Sequence, residues 1–463
     1  MKKLPLILIL LAVLTGLLAC SGGGNEEKPQ APYVFEWQDP VLEATIRAIL
    51  NKPDGDIFSN ELNSFRTISI GQDGIRYNVH GAQAYPVSGQ IESLQDFEHF
   101  INLRGIELSG IKISDISPLA DTPALRSVAL YNIRDMTDFS PLMDIPRLEA
   151  LSLENANLSD LTAVSGLENL LELHIHDLEL ASLHGLGGLP NLRLLTLSCP
   201  RVTDFSEIAS VPSLTQLEIS ASNLNDMPML AALTELSYLS LSFNNISDIS
   251  PLVNHPKLQR LWLNGNRISD TTPLSALPEL ERLYISNNQI SDITALSSLK
   301  KLMNLDLSGN SISDLSPLSG LTGIRTLNIN GNHVSDLSPL GRMSRLFALG
   351  AARNEIHDIS PIAKLNRLQD LDLSNNIISE IRALPSRRSL AYFSVANNQI
   401  ADISALRNHT SLVSLDISGN QIGNIREIEK LSRLTVLTAQ NAGISTMDQA
   451  WLKLTFQNCV IIL

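Results

Sequence analysis

The chain repeats itself every 22 residues, and that period excludes most of the folds open to a chain of 463 residues. Windows that begin LxxLxL, or with related apolar residues, open at positions 103, 125, 148, 170, 192, 214, 236, 258, 280, 302, 324, 346, 368, 390, 412 and 434. Every step is 22 residues except the 23-residue step from 125 to 148. One unit reads LSYLSLSFNNISDISPLVNHPK (236–257) and another LMNLDLSGNSISDLSPLSGLTG (302–323). Length alone suggests about three domains. A fixed internal period overrides that expectation, because no unit can bury its apolar stripe alone and stacking the units solves this.

Each position in the unit has a physical task. Positions 1, 4 and 6 are Leu or similar, as in Leu236, Leu239 and Leu241. Side chains alternate along a strand, so positions 4 and 6 share the inner face while 3, 5 and 7 point outward. Position 9 is Asn in nine successive units: Asn244, Asn266, Asn288, Asn310, Asn332, Asn354, Asn376, Asn398 and Asn420. A buried amide there is expected to bond the backbone of its own and the next unit, satisfying groups that the turn leaves orphaned. Positions 11 and 14 are Ile or Leu, and Leu at 17 with an apolar residue at 20 faces inward. The run Ser250-Pro251-Leu252 predicts an N-cap serine ahead of a proline at the first helical position. Each unit therefore predicts strand, turn, short 3₁₀-like segment and turn. The fold class is an α/β solenoid, an arc or horseshoe with a parallel sheet on its concave face, short 3₁₀ segments on the convex side and a helical N-terminal cap. The first six regular units lack the asparagine. Their ninth positions are Ile111, Ile133, Ala156, Leu178, Pro200 and Ser222, so their turns need another solution and the N-terminal third is expected to be less regular.

This pattern is identified as a leucine-rich repeat, and its 22-residue version with NxISDISPL resembles the internalin family of bacterial surface proteins. The resemblance spans about residues 35 to 455. It implies a non-catalytic protein that binds a protein partner, or alternatively a glycan, on its concave face. The immunoglobulin-like domain and wall-sorting signal that internalins commonly carry are missing, which favours an internalin-like lipoprotein over an invasion factor.

The N-terminus predicts export. Lys2 and Lys3 precede an apolar stretch over residues 4–18, shorter than the roughly 20 residues of a membrane-spanning helix. Leu17-Leu18-Ala19-Cys20 resembles the lipobox of bacterial lipoproteins, which implies acylation of Cys20 and membrane attachment on the extracytoplasmic side, at the cell surface or outer membrane. The segments expected are a signal peptide (1–19), a lipidated cysteine with flexible tether (20–34) and a helical cap (35–64). A first irregular repeat with an insertion at 71–90 (65–102), fifteen regular repeats (103–433) and last repeats with a C-terminal cap (434–463) follow. Asp39-Pro40 ahead of Leu42, Ile46, Ile49 and Leu50 reads as a capped amphipathic helix, with a second short helix over 59–64. The insertion reads as a tolerated surface loop or as a binding loop carrying Tyr77 and Tyr85. Counting 22 from Leu434 places Cys459 at position 4, as a small buried apolar residue. A net charge of −14 argues against nucleic acid as a partner.

Two constellations stand out on the outward positions. Tyr238, Arg260, Trp262, Arg282 and Tyr284 occupy positions 3 or 5 of three consecutive units, with Asn264 at position 7 and Phe243 at the strand exit. Trp, Tyr and Arg are the types enriched in binding hot spots. The competing reading is a surface cluster packed on itself, with Arg260 or Arg282 over the rings. The second constellation is Glu172, His174 and His176 on one strand with Glu154 on the preceding one. It reads as a solvated polar face or as a metal site. No catalytic motif is present, and no cofactor is expected beyond the lipid on Cys20. The function expected is an adhesin or receptor-like binding module. The alternative is an envelope scaffold acting by self-association. The chain is expected to be a monomer, the alternative being an end-to-end dimer through an exposed terminal strand.

Overall fold

The computed structural model describes residues 31–78, 85–86, 89–133, 135–177, 179–385 and 389–463. Cys20 and Leu178 lie outside the described residues, as does part of the 71–90 insertion. The chain divides into two compact units, the first ending at Ser222 and the second running from Asn223 to Leu463. Each has the leucine-rich-repeat fold: short parallel strands on one side and 3₁₀ segments on the other.

Unit 1 opens with helix α1 (Pro40–Ile49), whose buried face carries Leu42 and Ile46. Asp39 caps it, accepting from the N–H groups of Val41 and Leu42 at 2.9 and 2.8 Å. The same carboxylate accepts from Glu92 and Ser93, while Asp96 accepts from the N–H groups of Gln38 and Asp39. These two buried carboxylates tie the cap to the first repeat. Burial pushes the Asp96 carboxyl above its ordinary range. Tyr33, Phe35 and Trp37 also pack in sequence, with Phe35 and His99 3.9 Å apart between ring centroids. Neither Asp96 nor these rings belongs to the repeat pattern, so periodicity does not single them out.

The strands of unit 1 are β1 (Thr67–Gly71), β2 (Gly74–Tyr77), β3 (Gly105–Ser109), β4 (Ser127–Tyr131), β5 (Ala150–Glu154), β6 (Glu172–His176), β7 (Leu194–Leu197) and β8 (Gln216–Ile219). β1 pairs in parallel with β3 and antiparallel with β2, so the 71–90 insertion begins as a hairpin. Tyr77 and Tyr85 are half-buried in it, 5.9 Å apart, with Tyr77 against Phe65. From β3 onward the register sets position 4 on position 4: Ile106, Val128, Leu151, Leu173, Leu195 and Leu217. Unit 2 holds β9 (Tyr238–Ser240), β10 (Arg260–Trp262), β11 (Arg282–Tyr284), β12 (Asn304–Asp306), β13 (Thr326–Asn328), β14 (Ala348–Gly350), β15 (Asp370–Asp372), β16 (Tyr392–Ser394), β17 (Ser414–Asp416), β18 (Val436–Thr438) and β19 (Val460–Ile462). Each pairs in parallel with its successor. The apolar positions are buried throughout, as with Leu236, Leu239, Leu241, Ile246, Ile249 and Leu252. Position 20 carries a buried histidine in two of the described repeats. His255 there lies 3.0 Å from the Leu230 carbonyl, and His409 lies within 3.2 Å of the Ala405 and Pro385 carbonyls.

Three expectations are corrected. The ladder asparagines bond their own and the preceding unit, not the next. Asn266 Nδ2 donates to the carbonyls of Leu263 (3.1 Å) and, one unit back, Leu241 (2.9 Å), while its Oδ1 accepts from Ile246 N–H (3.0 Å). The next strand already takes the N–H groups at positions 6 and 8, as in Leu241 to Trp262 and Phe243 to Asn264. The carbonyl at 6 and the N–H at 11 have no such partner, and the following asparagine reaches back to them.

The serine before proline is not the cap either. Ser250 donates its N–H to Asp248 Oδ1 at 2.8 Å, so the aspartate two residues upstream closes the turn. The same Asp–Ser or Asp–Thr bond recurs at Asp138, Asp204, Asp270, Asp292, Asp336, Asp358 and Asp402. Hydrogen bonds from the Ser or Thr hydroxyl and N–H hold Asp336 and Asp402 below the usual carboxylate range.

Finally, Ile461 and not Cys459 pairs with Leu437 at position 4. Helix α2 (Thr446–Thr455) replaces the 3₁₀ segment of the last repeat and lengthens its step. Cys459 is therefore only partly covered, whereas Cys199 is fully buried.

Candidate functional site

The outward-facing aromatics of unit 2 come together. β9, β10 and β11 align Tyr238 with Arg260 and Arg282 at position 3, and Ser240 with Trp262 and Tyr284 at position 5. The Trp262 ring sits between the two tyrosines. Its centroid lies 4.8 Å from that of Tyr238, tilted by 37°, and 5.2 Å from that of Tyr284, at only 9° between planes. Both tyrosine rings pack against the indole, so the cluster is packed on itself, as the competing reading has it. The three ring residues are half-buried, and Arg260 and Arg282 are exposed beside them. Asn264 accepts from the N–H and hydroxyl of Ser286, both at 2.9 Å, which steadies the far end of the patch.

Phe243 supplies a signal that the residue pattern did not show. Position 8 of the repeat takes a left-handed backbone, occupied by glycine or asparagine at Gly265, Asn287, Gly309, Gly331, Asn375, Asn397 and Gly419, and by other residue types at Ala221 and Arg353. Phe243 adopts the same conformation with φ +60° and is 67% exposed. An ordinary L side chain in this region costs about 1–2 kcal/mol. The conformation belongs to the repeat, and at Phe243 it carries a large apolar ring into water. Its ring lies over Gly265, where a Cβ would come within 2.8 Å of it.

The histidine constellation resolves differently. Glu172, His174 and His176 alternate along β6, with residues two apart separated by roughly 7 Å, and Glu154 is the register partner of His176. Among the described residues no group of three or more His, Cys, Asp or Glu side chains is placed to hold a metal ion. The metal reading is corrected on that geometry. His174 is enclosed between its register neighbours Ser152 and Thr196. It is 3% exposed, with no hydrogen-bond partner on either ring nitrogen. Burial pushes its imidazole down to about 4, with His176 adding to the effect. Burial likewise raises the carboxyls of Glu154 and Glu172.

Comparison with known proteins agrees with the repeat reading. A family model described as leucine-rich repeats (2 copies) matches residues 256–301, 300–342 and 388–430. No curated protein sequence matches the chain. Among solved structures, a leucine-rich-repeat protein of Leptospira interrogans superposes with TM-score 0.65 at 20% identity, covering 88% of this chain and 97% of that one. The functional domain of InlJ from Listeria monocytogenes gives TM-score 0.54 at 18% identity, covering 87% and 79%. A plant peptide hormone receptor, RGFR1 in complex with RGF2, gives 0.56 at 21%, covering 76% and 65%. These matches agree with the leucine-rich-repeat fold described above.

Proposed function

We propose that this is a non-catalytic binding module that holds a protein partner on the outward sheet face of unit 2. The observation that carries the reading is the stack of Tyr238, Trp262 and Tyr284 beside Phe243, an exposed ring held in a strained backbone. Large apolar groups kept at the surface at a conformational cost gain when a partner desolvates them. Export and acylation at Cys20 place the module on the extracytoplasmic side of a membrane, as a monomer needing no cofactor. Among the described residues no helix is long and apolar enough to cross a membrane.

The test is a cross-linking pulldown from envelope extracts and candidate host cells. The full chain is compared with a Tyr238→Ala, Trp262→Ala, Tyr284→Ala variant of matching circular dichroism. A partner captured by the parent and lost by the variant supports the reading. Equal capture moves the site off this patch, and recovery of only further copies of the chain favours a self-associating scaffold.

A further inference from the structure

We propose a second binding site in unit 2, at the N-terminal edge of its strands, which takes an acidic peptide segment. Residues 22 apart stand side by side in this stack, so equivalent positions form rows. Along the row at position 22 the charges first alternate. Lys257 pairs with Glu235 at 2.7 Å and Lys301 with Glu279 at 2.5 Å. Gly323 then interrupts the row, and Arg345 and Arg367 follow as neighbours of like charge, with Arg325 close by at position 2. Among the described residues none of these three arginines is drawn into an ion pair.

The three guanidinium groups line one open cleft of about 740 Å³ with Phe347, Asn304 and Thr326. Phe347 is 47% exposed there. Like charges set side by side are destabilising, and they stand here in a chain of net charge −14. A carboxylate-bearing ligand removes that repulsion, because the planar fork of Arg takes carboxylates in bidentate pairs. The Phe347 ring in the same cleft calls for an apolar side chain between the acidic ones. An acidic peptide carries both groups on one backbone, and Asn304 and Thr326 add polar groups to meet it. The site uses none of the aromatic-stack residues, so it stands or falls apart from the function proposed above.

Fluorescence anisotropy of a labelled peptide with six glutamates around one leucine, titrated with the full chain, tests the proposal. Its lysine counterpart and a heparin oligosaccharide serve as comparisons. The acidic peptide is expected to bind saturably and to weaken as salt is raised. Affinity is expected to fall at least about tenfold with Arg345→Glu plus Arg367→Glu, and several-fold with Phe347→Ala, which keeps every charge. All three positions are exposed, and circular dichroism confirms that the variants fold. The Tyr238→Ala, Trp262→Ala, Tyr284→Ala variant is expected to bind the peptide like the parent. Absence of saturable binding, or equal binding by the charge-reversed variant, overturns the site. Tighter binding of heparin, lost in that variant, overturns the peptide assignment in favour of a sulfated glycan.

Discussion

Unit 1 and unit 2 solve the same turn with different chemistry, and the strands record the difference. In β3 to β6 the strand runs from position 3 to position 7; in β7 and β8 it stops at 6, and from β9 onward at 5. The asparagine ladder accounts for the short form. From Asn266 to Asn420 the amide takes the carbonyl at position 6 of its own unit, as Asn310 does with Leu307, so that carbonyl leaves the strand ladder, while the carbonyl at 7 still accepts from the preceding unit, as Ser308 does from Asn287 N–H. Unit 1 fills its turns one at a time. The buried Asp177 accepts from the N–H groups of Ala156, Leu158 and Glu179. Ser222 accepts from Cys199 N–H and donates to Ser220. The outward face follows suit. Unit 1 buries Ser127, Ala129, Ser152, His174 and Thr196 there, while unit 2 buries Ser240, Ser242 and Ser286 but keeps Tyr238, Trp262 and Tyr284 half-buried and Arg260 and Arg282 exposed. A turn closed by one recurring asparagine leaves the outward positions free to vary, and both candidate sites lie in that half.

The comparison is broken most directly at the ladder. Asn332→Ala leaves the N–H of Ile312 without its partner and removes one of the two amide donors from the carbonyls of Leu307 and Ile329, which keep those of Asn310 and Asn354. It is expected to cost about 3 kcal/mol in urea unfolding, against about 1 kcal/mol for Ser222→Ala, which loses single hydroxyl bonds. Equal losses would mean that the two turns do not differ in kind.

A second effect belongs to unit 1. The folded imidazole of His174 titrates near 4 against an ordinary 6.5, so the unfolded chain takes up the proton first as pH falls. Stability is therefore lost between pH 6.5 and about 4, by roughly 2 kcal/mol at pH 5 from this residue. His174→Thr, which matches Thr196 on the neighbouring strand, is expected to flatten the melting temperature across that window. An unchanged pH profile would remove His174 as the cause.

The smallest effect sharpens the functional side. Phe243→Asn gives position 8 the residue type used by its neighbours and is expected to stabilise the chain by about 1 kcal/mol, while weakening capture of the partner. Loss of stability instead would show that the ring supports the fold.

The period made the stacking, the inward leucines and the nine ladder asparagines legible, because each recurs wherever the backbone geometry recurs. Asp177 and Ser222 were not legible as turn partners. Asp177 stands at position 8 and Ser222 at the ninth position without the recurring amide, and only neighbouring units show which orphaned groups each serves. The aromatic patch was legible as a neighbourhood of residues 22 and 24 apart, but not its geometry. The arginine cleft was not read at all, since its residues fall at positions 2, 3 and 22 of different repeats.

What the sequence determined by itself is the register: side chains alternate along a strand, and a constant step returns each position to the same place in the stack. What the tertiary structure decided is direction and company. It turned the asparagines toward the preceding unit, gave the turns to aspartate in place of serine, moved Cys459 off the inner row and packed both tyrosines against Trp262. These depend on which donors and surfaces the adjacent units leave unfilled, and a repeat read alone does not contain its neighbours.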